Sequence, residues 1–226
     1  MIKLSVLVPY KPDHGPRDEA FRWVKLFYQK YMPFAEICLG HSESKLFSRS
    51  QAINDAAKKA KTDLFLIADN DIFYDPNLII EANAKLKDHA WVIPYMRVYD
   101  IKEESTKKLL KTKPSWPLTF PIQSKVRAHT PNGGLTLIPR KHFEVVNGFD
   151  ERFIGWGGED DAFAFSVNNI CGKQYRMNKE IYHLWHPNNK QQGNPNYQNN
   201  YTLLRKYFET KGDIQKLKKL IINRQN

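Results

Sequence analysis

An α/β fold, a mixed central sheet flanked by helices, follows from three observations on the sequence. Strand-like and helix-like segments alternate through the first hundred residues. The strand-like ones are short, continuous apolar runs of the kind that lie buried in a sheet. Polar residues gather where two of these runs end, at Pro9-Tyr10-Lys11 and at Asp69-Asn70-Asp71, and ligands of open α/β sheets sit at the carboxyl ends of strands.

Taken in order, Ile2 to Pro9 is hydrophobic and β-branched, a buried strand stopped by proline. Arg17 to Tyr31 carries apolar residues at helical spacing, Phe21, Val24, Phe27, Tyr28 and Tyr31. Glu36 to Leu39 is a short strand, and Ser44 to Ala60 a helix with a compact face of Ala52, Ile53, Ala56, Ala57 and Ala60. Leu64 to Ala68 is a second buried strand. A helix starts near Pro76, a residue suited to the first helical position, and runs to Lys87; Trp91 to Tyr95 closes the alternation, which predicts a mostly parallel sheet. Asp100 to Thr130 reads as one long irregular loop, a length that suggests gating of a substrate. Beyond it come a strand over Gly134 to Pro139, short helices over Lys141 to Val146 and Asp160 to Asn169, and a strand over Ile181 to His186. The last is a basic amphipathic helix from Tyr201 to Asn223.

The bulk numbers bound the class. The 226 residues suffice for one sizeable core and are few for two domains. No run approaches the roughly 20 apolar residues a bilayer span needs, and no signal-peptide pattern follows Leu4 to Pro9; the expectation is a soluble, cytoplasmic protein. Cys38 and Cys171 have neither zinc nor disulfide spacing and read as small buried residues. A net charge of +11 favours an anionic partner, whether nucleotide diphosphate, nucleic acid, phosphate-bearing polymer or anionic membrane.

Three segments carry chemistry. Asp69 and Asp71, just past a buried strand, can hold a hard divalent cation and through it phosphate oxygens. In Gly155-Trp156-Gly157-Gly158-Glu159-Asp160-Asp161, three acids open a helix, where capping would account for them. An aromatic face between glycines is poor capping design and suits a sugar ring stacked beside a carboxylate. In His183-Leu184-Trp185-His186, strand alternation would turn the two histidines apart unless the strand ends between them. His186, beside Pro187, is the better candidate ligand.

The run from Asn132-Gly133-Gly134 through Asn147-Gly148-Phe149-Asp150 to the Trp156 segment resembles the C-terminal signature of β-1,4-galactosyltransferases. It is similar also to that of chondroitin-synthesising enzymes and polypeptide N-acetylgalactosaminyltransferases. Val8-Pro9-Tyr10, Phe47-Ser48-Arg49 with Asn54, and Asp69-Asn70-Asp71 match upstream in the right order; His186, Asn188, Asn189 and Pro195-Asn196 match downstream. The resemblance implies the GT-A fold and a single domain over 1–226, with a nucleotide-binding half (1–99), a donor and acceptor half (131–200) and a basic helical tail (201–226). It further implies a UDP-sugar site bordered by Pro9, Tyr10, Lys11, Phe47, Arg49 and Asn54, with Asp69 at the ribose and Gly134, Trp156 and Gly158 nearby. Asp71 and His186, joined by His183, would bind Mn2+ or Mg2+ as in a DXD motif. Glu159 would contact sugar, and Asp160 would be the base of an inverting transfer. The animal enzymes carry anchors and disulfides that this sequence does not show, so their acceptors do not transfer; glycan, wall-polymer, lipid-linked and nucleic-acid acceptors stay open, as does peripheral membrane contact through the basic tail. The competing readings are a nucleic-acid-binding module, a non-catalytic sugar-binding module and a retaining transferase.

Overall fold

Strand β1 (Leu4–Pro9) is buried along its whole length, a near-continuous apolar run covered on both faces, with Ser5 its one polar residue and bonded to Glu36 and Thr62. The computed structural model describes residues 2–187 and 194–225; Asn188 and Asn189 of the downstream match lie outside them. β1 pairs in parallel with β2 (Ala35–Gly40) on one side and β3 (Leu64–Ala68) on the other. Helices α1 (Pro16–Tyr31) and α2 (Arg49–Lys59) make the two crossovers. Beyond β3 lie β8 (Leu135–Pro139), β5 (Trp91–Ile93) and β9 (Gln174–Arg176), giving the order β2-β1-β3-β8-β5-β9.

The sheet is mixed, with β8 antiparallel to both its neighbours. This departs from the mostly parallel sheet that alternation alone suggests. Between β5 and β8 the chain makes no single helical crossover; it builds part of a second sheet and re-enters from the opposite end, and a strand entering that way pairs antiparallel. The second sheet orders β4 (Ile72–Phe73), β10 (Glu180–His183), β6 (Arg97–Ile101) and β7 (Ser124–Val126).

The stretch from Asp100 to Thr130 is therefore not one irregular loop. It contains the end of β6, helix α4 (Glu103–Leu110) and β7. Its loop residues are fastened to α1. Trp23 Nε1 donates to the Thr112 carbonyl (3.0 Å), Lys30 Nζ to that of Pro114 (2.8 Å), and the Trp116 N–H to the Tyr31 hydroxyl (2.6 Å).

The remaining helices are α3 (Asn77–Lys85), α5 (Arg140–Val145), α6 (Glu159–Ile170), α7 (Tyr197–Phe208) and α8 (Ile214–Ile222). Two expected boundaries move. α2 begins at Arg49 and not Ser44, because Ser48 is its N-cap and accepts from the Gln51 N–H. The single helix expected from Tyr201 to Asn223 is two, broken at Gly212, whose φ of +85° is a left-handed conformation that favours glycine, and restarted by Asp213 capping Lys216. Both cysteines are free, Cys38 buried and Cys171 half-buried. The main core is formed by β1, β3, β5 and β8 under α1 and α2. A smaller cluster of Phe153, Ala162, Tyr207, Leu217 and Ile221 joins α6 to α7 and α8.

Candidate active site

The turn Asp69-Asn70-Asp71 joins β3 to β4 and so bridges the two sheets. The Asp69 N–H donates to the Gly134 carbonyl (2.9 Å), which ties this turn to the Asn132-Gly133-Gly134 segment. Arg49, the first residue of α2, points at the same place. Its Nε and Nη2 donate to one Asp69 oxygen (3.0 and 2.9 Å), and Nη1 donates to Asp160 Oδ1 (2.5 Å), 111 residues away in the chain. One guanidinium thus joins the two acidic motifs.

Asp160 sits in the first turn of α6, where the helix dipole favours a carboxylate. The turn before it runs through Gly155, Gly157 and Gly158, all at positive φ, with Gly158 at the N-cap position. A Cβ on Gly133 would collide with the Asp160 carboxylate, so glycine is what lets that segment pass close beneath it. Burial raises the Asp160 carboxyl, Arg49 opposes that, and the net direction is upward. Glu159 is buried, with Oε2 accepting from the Gly157 N–H (3.2 Å). Burial, then the charge of Asp160, pushes its carboxyl up to about 7.

Asp71 lies with both histidines. Its Oδ1 is 3.6 Å from His183 Nε2 and its Oδ2 3.2 Å from His186 Nε2. Three potential ligand atoms, one from each residue, lie within 4.8 Å of one another. The two histidines converge because β10 ends at His183, the condition under which strand alternation stops separating them; Leu184 then donates to the Asp71 carbonyl (2.8 Å) as the chain turns away. Burial works to raise the Asp71 carboxyl, but His183 and the His186 hydrogen bond outweigh it and hold the group low. Asp71 Oδ1 is buried and has no hydrogen-bond donor. An orphaned, ionised oxygen beside two imidazole nitrogens has the donor set of a divalent cation site, and mixed nitrogen and oxygen ligands suit Mn2+ better than the oxygen-seeking Mg2+.

The other expected residues are placed less uniformly. Trp156 is 52% exposed, its ring almost parallel to that of Tyr197 at 6.5 Å. Pro9 ends β1; Tyr10 is half-buried and donates to Asp18 (2.8 Å); Lys11 is exposed. Phe47 meets the glycine turn through its carbonyl, which accepts from the Gly155 N–H (3.1 Å). Asn54 is engaged elsewhere: its amide bonds both backbone groups of Phe149 (2.9 Å each) and Glu151. A surface cavity of about 600 Å³ beside Asn54, lined also by Phe65, Arg140, Phe149 and Arg224, includes none of Asp69, Asp71, Asp160 or the two histidines. The acidic and imidazole groups lie apart from that cavity.

Sequence reasoning missed Asp100 and Arg127, which stand behind His183, and the Arg176–Asn132 bond (2.8 Å) that holds Asn132 against Asp161 (2.8 Å). Asp100 lies at the margin of the stretch read as a loop, and only strand pairing gives it a partner.

Two mixed sheets, with Asp71, His183 and His186 grouped where they meet and a carboxylate at the head of a glycine-led helix, make a GT-A fold. Solved structures bear this out: a Drosophila β-1,4-galactosyltransferase 7 variant, in complex with manganese, UDP-Gal and xylobiose, superposes with a TM-score of 0.57 at 20% identity, covering 82% of this chain and 72% of that one. Residues 121–189 match a family model described as the N-terminal domain of galactosyltransferase. In sequence the chain resembles β-1,4-galactosyltransferase 5 of Danio rerio (22% identical, 92% of this chain, 49% of the relative). It likewise resembles human β-1,4-galactosyltransferase 4 (26%, 73% and 42%). The chain spans about half the length of the curated relatives it matches. Among the described residues no helix is long and apolar enough to cross a membrane.

Proposed function

We propose that this chain is a metal-dependent glycosyltransferase that moves a hexose or N-acetylhexosamine from a UDP-sugar to a glycan hydroxyl with inversion. The observation that carries the proposal is the Arg49 bridge. It sets the Asp160 carboxylate beside the turn whose far end, Asp71, lies with His183 and His186. In this reading residues 1–99 hold the nucleotide, with Pro9, Tyr10 and Phe47 around the uracil and Asp69 at the ribose; residues 131–200 hold the donor sugar and the acceptor. A divalent cation on Asp71, His183 and His186 would neutralise the charge that develops on the departing diphosphate.

The acceptor hydroxyl is a weak nucleophile until a carboxylate takes its proton. Asp160 Oδ1 is bound by Arg49, which leaves Oδ2 to receive that proton. As the acceptor oxygen bonds to the anomeric carbon, the bond from that carbon to the diphosphate oxygen breaks and UDP leaves. One displacement on the face opposite the leaving group inverts the centre, the stereochemical logic of a single carboxylate base. Trp156, exposed on its glycine turn, offers a flat face for a sugar ring, and the fly relative's complex with UDP-Gal and xylobiose supports a sugar nucleotide and a glycan as the two substrates.

The test is release of UDP from a panel of UDP-sugars, with and without Mn2+ and xylobiose. Metal-dependent release from one sugar is expected, falling to background in Asp71→Ala. Absence of both turnover and Mn2+-dependent nucleotide binding would remove the reading. A product with retained anomeric configuration would remove Asp160 as base.

A further inference from the structure

We infer that Asp100, gripped by Arg127, is a positioning residue that aims His183 at the metal site; the inference rests on the metal site proposed above. The placement follows from the second sheet. β10 pairs in parallel with β6 in a register that sets His183 opposite Asp100, and β7 pairs antiparallel with β6 so that Arg127 follows directly on its last residue. The Arg127 N–H donates to the Val98 carbonyl (2.9 Å), which locks that position. Arg127 Nε and Nη2 then reach one Asp100 oxygen each, at 3.1 and 2.5 Å, the two-pronged geometry that fixes a carboxylate in orientation as well as in place.

Asp100 Oδ1 lies 3.1 Å from His183 Nδ1. With a cation bound beside Asp71, Nδ1 would keep its hydrogen on the Asp100 carboxylate and Nε2 would turn its lone pair to the metal. His186 repeats the arrangement with a backbone partner: Nδ1 is 3.1 Å from the Pro187 carbonyl while Nε2 faces Asp71. Each imidazole therefore has an acceptor on its outer nitrogen and Asp71 on its inner one. The Asp100–Arg127 pair is more than a third exposed on both sides, and such a pair contributes little to stability. Its geometric role, holding a ring that has 19% of its side-chain surface exposed, is the larger one.

Calorimetric titration of Mn2+ into the full chain tests this, comparing wild type with Asp71→Ala, Asp100→Ala and Asp100→Asn. Wild type binds and Asp71→Ala does not, if the metal site is read correctly. Asp100→Ala is expected to weaken Mn2+ binding by about 10- to 100-fold, the usual effect of removing a partner behind a metal-bound histidine. Asp100→Asn should cost less, since its amide oxygen still accepts from Nδ1. Titrated with Co2+ in place of Mn2+, Asp100→Ala should shift the visible absorption bands, which a role confined to closing the sheet would not move. Wild-type Mn2+ affinity with unchanged Co2+ bands in Asp100→Ala overturns the inference and leaves the metal site standing. No binding to folded wild type overturns both. Should Asp100→Ala fail to fold, as judged by circular dichroism, the same criterion applies to Asp100→Leu, which removes the acceptor while filling its space.

Discussion

Arg49 has five N–H donors in a rigid fork, and three of them meet Asp69 and Asp160. That arrangement lets two half-buried acids approach across one guanidinium. Glu159 has no such partner, and the consequence is a pH-dependent cost. Burial first, and the Asp160 charge second, raise its carboxyl from an ordinary 4.5 to about 7. The folded chain therefore holds this proton more tightly than the unfolded chain between those values. The stabilisation is fully present below about pH 4.5 and is lost as pH rises through about 7. Glu159→Gln, which is neutral throughout, should melt higher than wild type at pH 8, with the gap closing towards pH 5. A gap of the same size at both values would refute the assignment. Residues of this kind were legible in the sequence only where neighbours along the chain announce them. Asp71, Glu159 and Asp160 stand in compact acidic motifs, and His186 stands beside a proline at a segment end. Asp100 has no such neighbourhood; its meaning arises from a strand register 83 positions downstream, at His183.

Strands β1 and β3 of the first sheet were readable because burial on both faces demands near-continuous apolar runs, which both have, β1 with Ser5 as its one polar residue. In the second sheet only β10 was, as the strand expected from Ile181. β4 has two residues, and β7 has three, of which two are exposed, too few to show a period of two. Helix starts were blurred in the same way, since apolar spacing does not mark a cap. α2 shows what a cap does here. Ser48 is fully buried; its oxygen accepts from the Gln51 N–H and its hydroxyl donates to the Phe153 carbonyl (2.8 Å), just ahead of the glycine turn. Ser48→Ala removes the cap and strands a buried carbonyl, a loss of about 1–3 kcal/mol. In a chain of this length that lowers the melting temperature by about 2–10 °C. A drop under 1 °C in a thermal melt would show that water replaces both bonds.

For the whole molecule, the net charge of +11 and the lysines of the last helix suggested a basic helical tail. The contacts at Asp150 join that tail to the rest of the chain. Its side chain has no exposed surface and receives Arg152, the Tyr207 hydroxyl (2.7 Å) from α7, and Arg224, whose Nε lies 3.6 Å away. Arg224 also donates to the Tyr207 hydroxyl (2.8 Å) and to the carbonyls of Val146 and Gly148 (2.9 and 3.0 Å). The C-terminal helices thus clamp the segment that leads into the Trp156 turn, and the end of the chain is part of the site's support. Arg224→Ala leaves a buried carboxylate with one cation fewer beside it and two carbonyls without their donor, for about 2–4 kcal/mol. The urea midpoint should fall accordingly, while Lys218→Ala, an exposed change on the preceding helix α8, should leave stability within about 0.5 kcal/mol of wild type. If the two variants unfold at the same urea concentration, the clamp contributes nothing and the helices are an appendage after all. If only Arg224→Ala shifts, the acidic site at one end of the chain's last third depends on an arginine at the other.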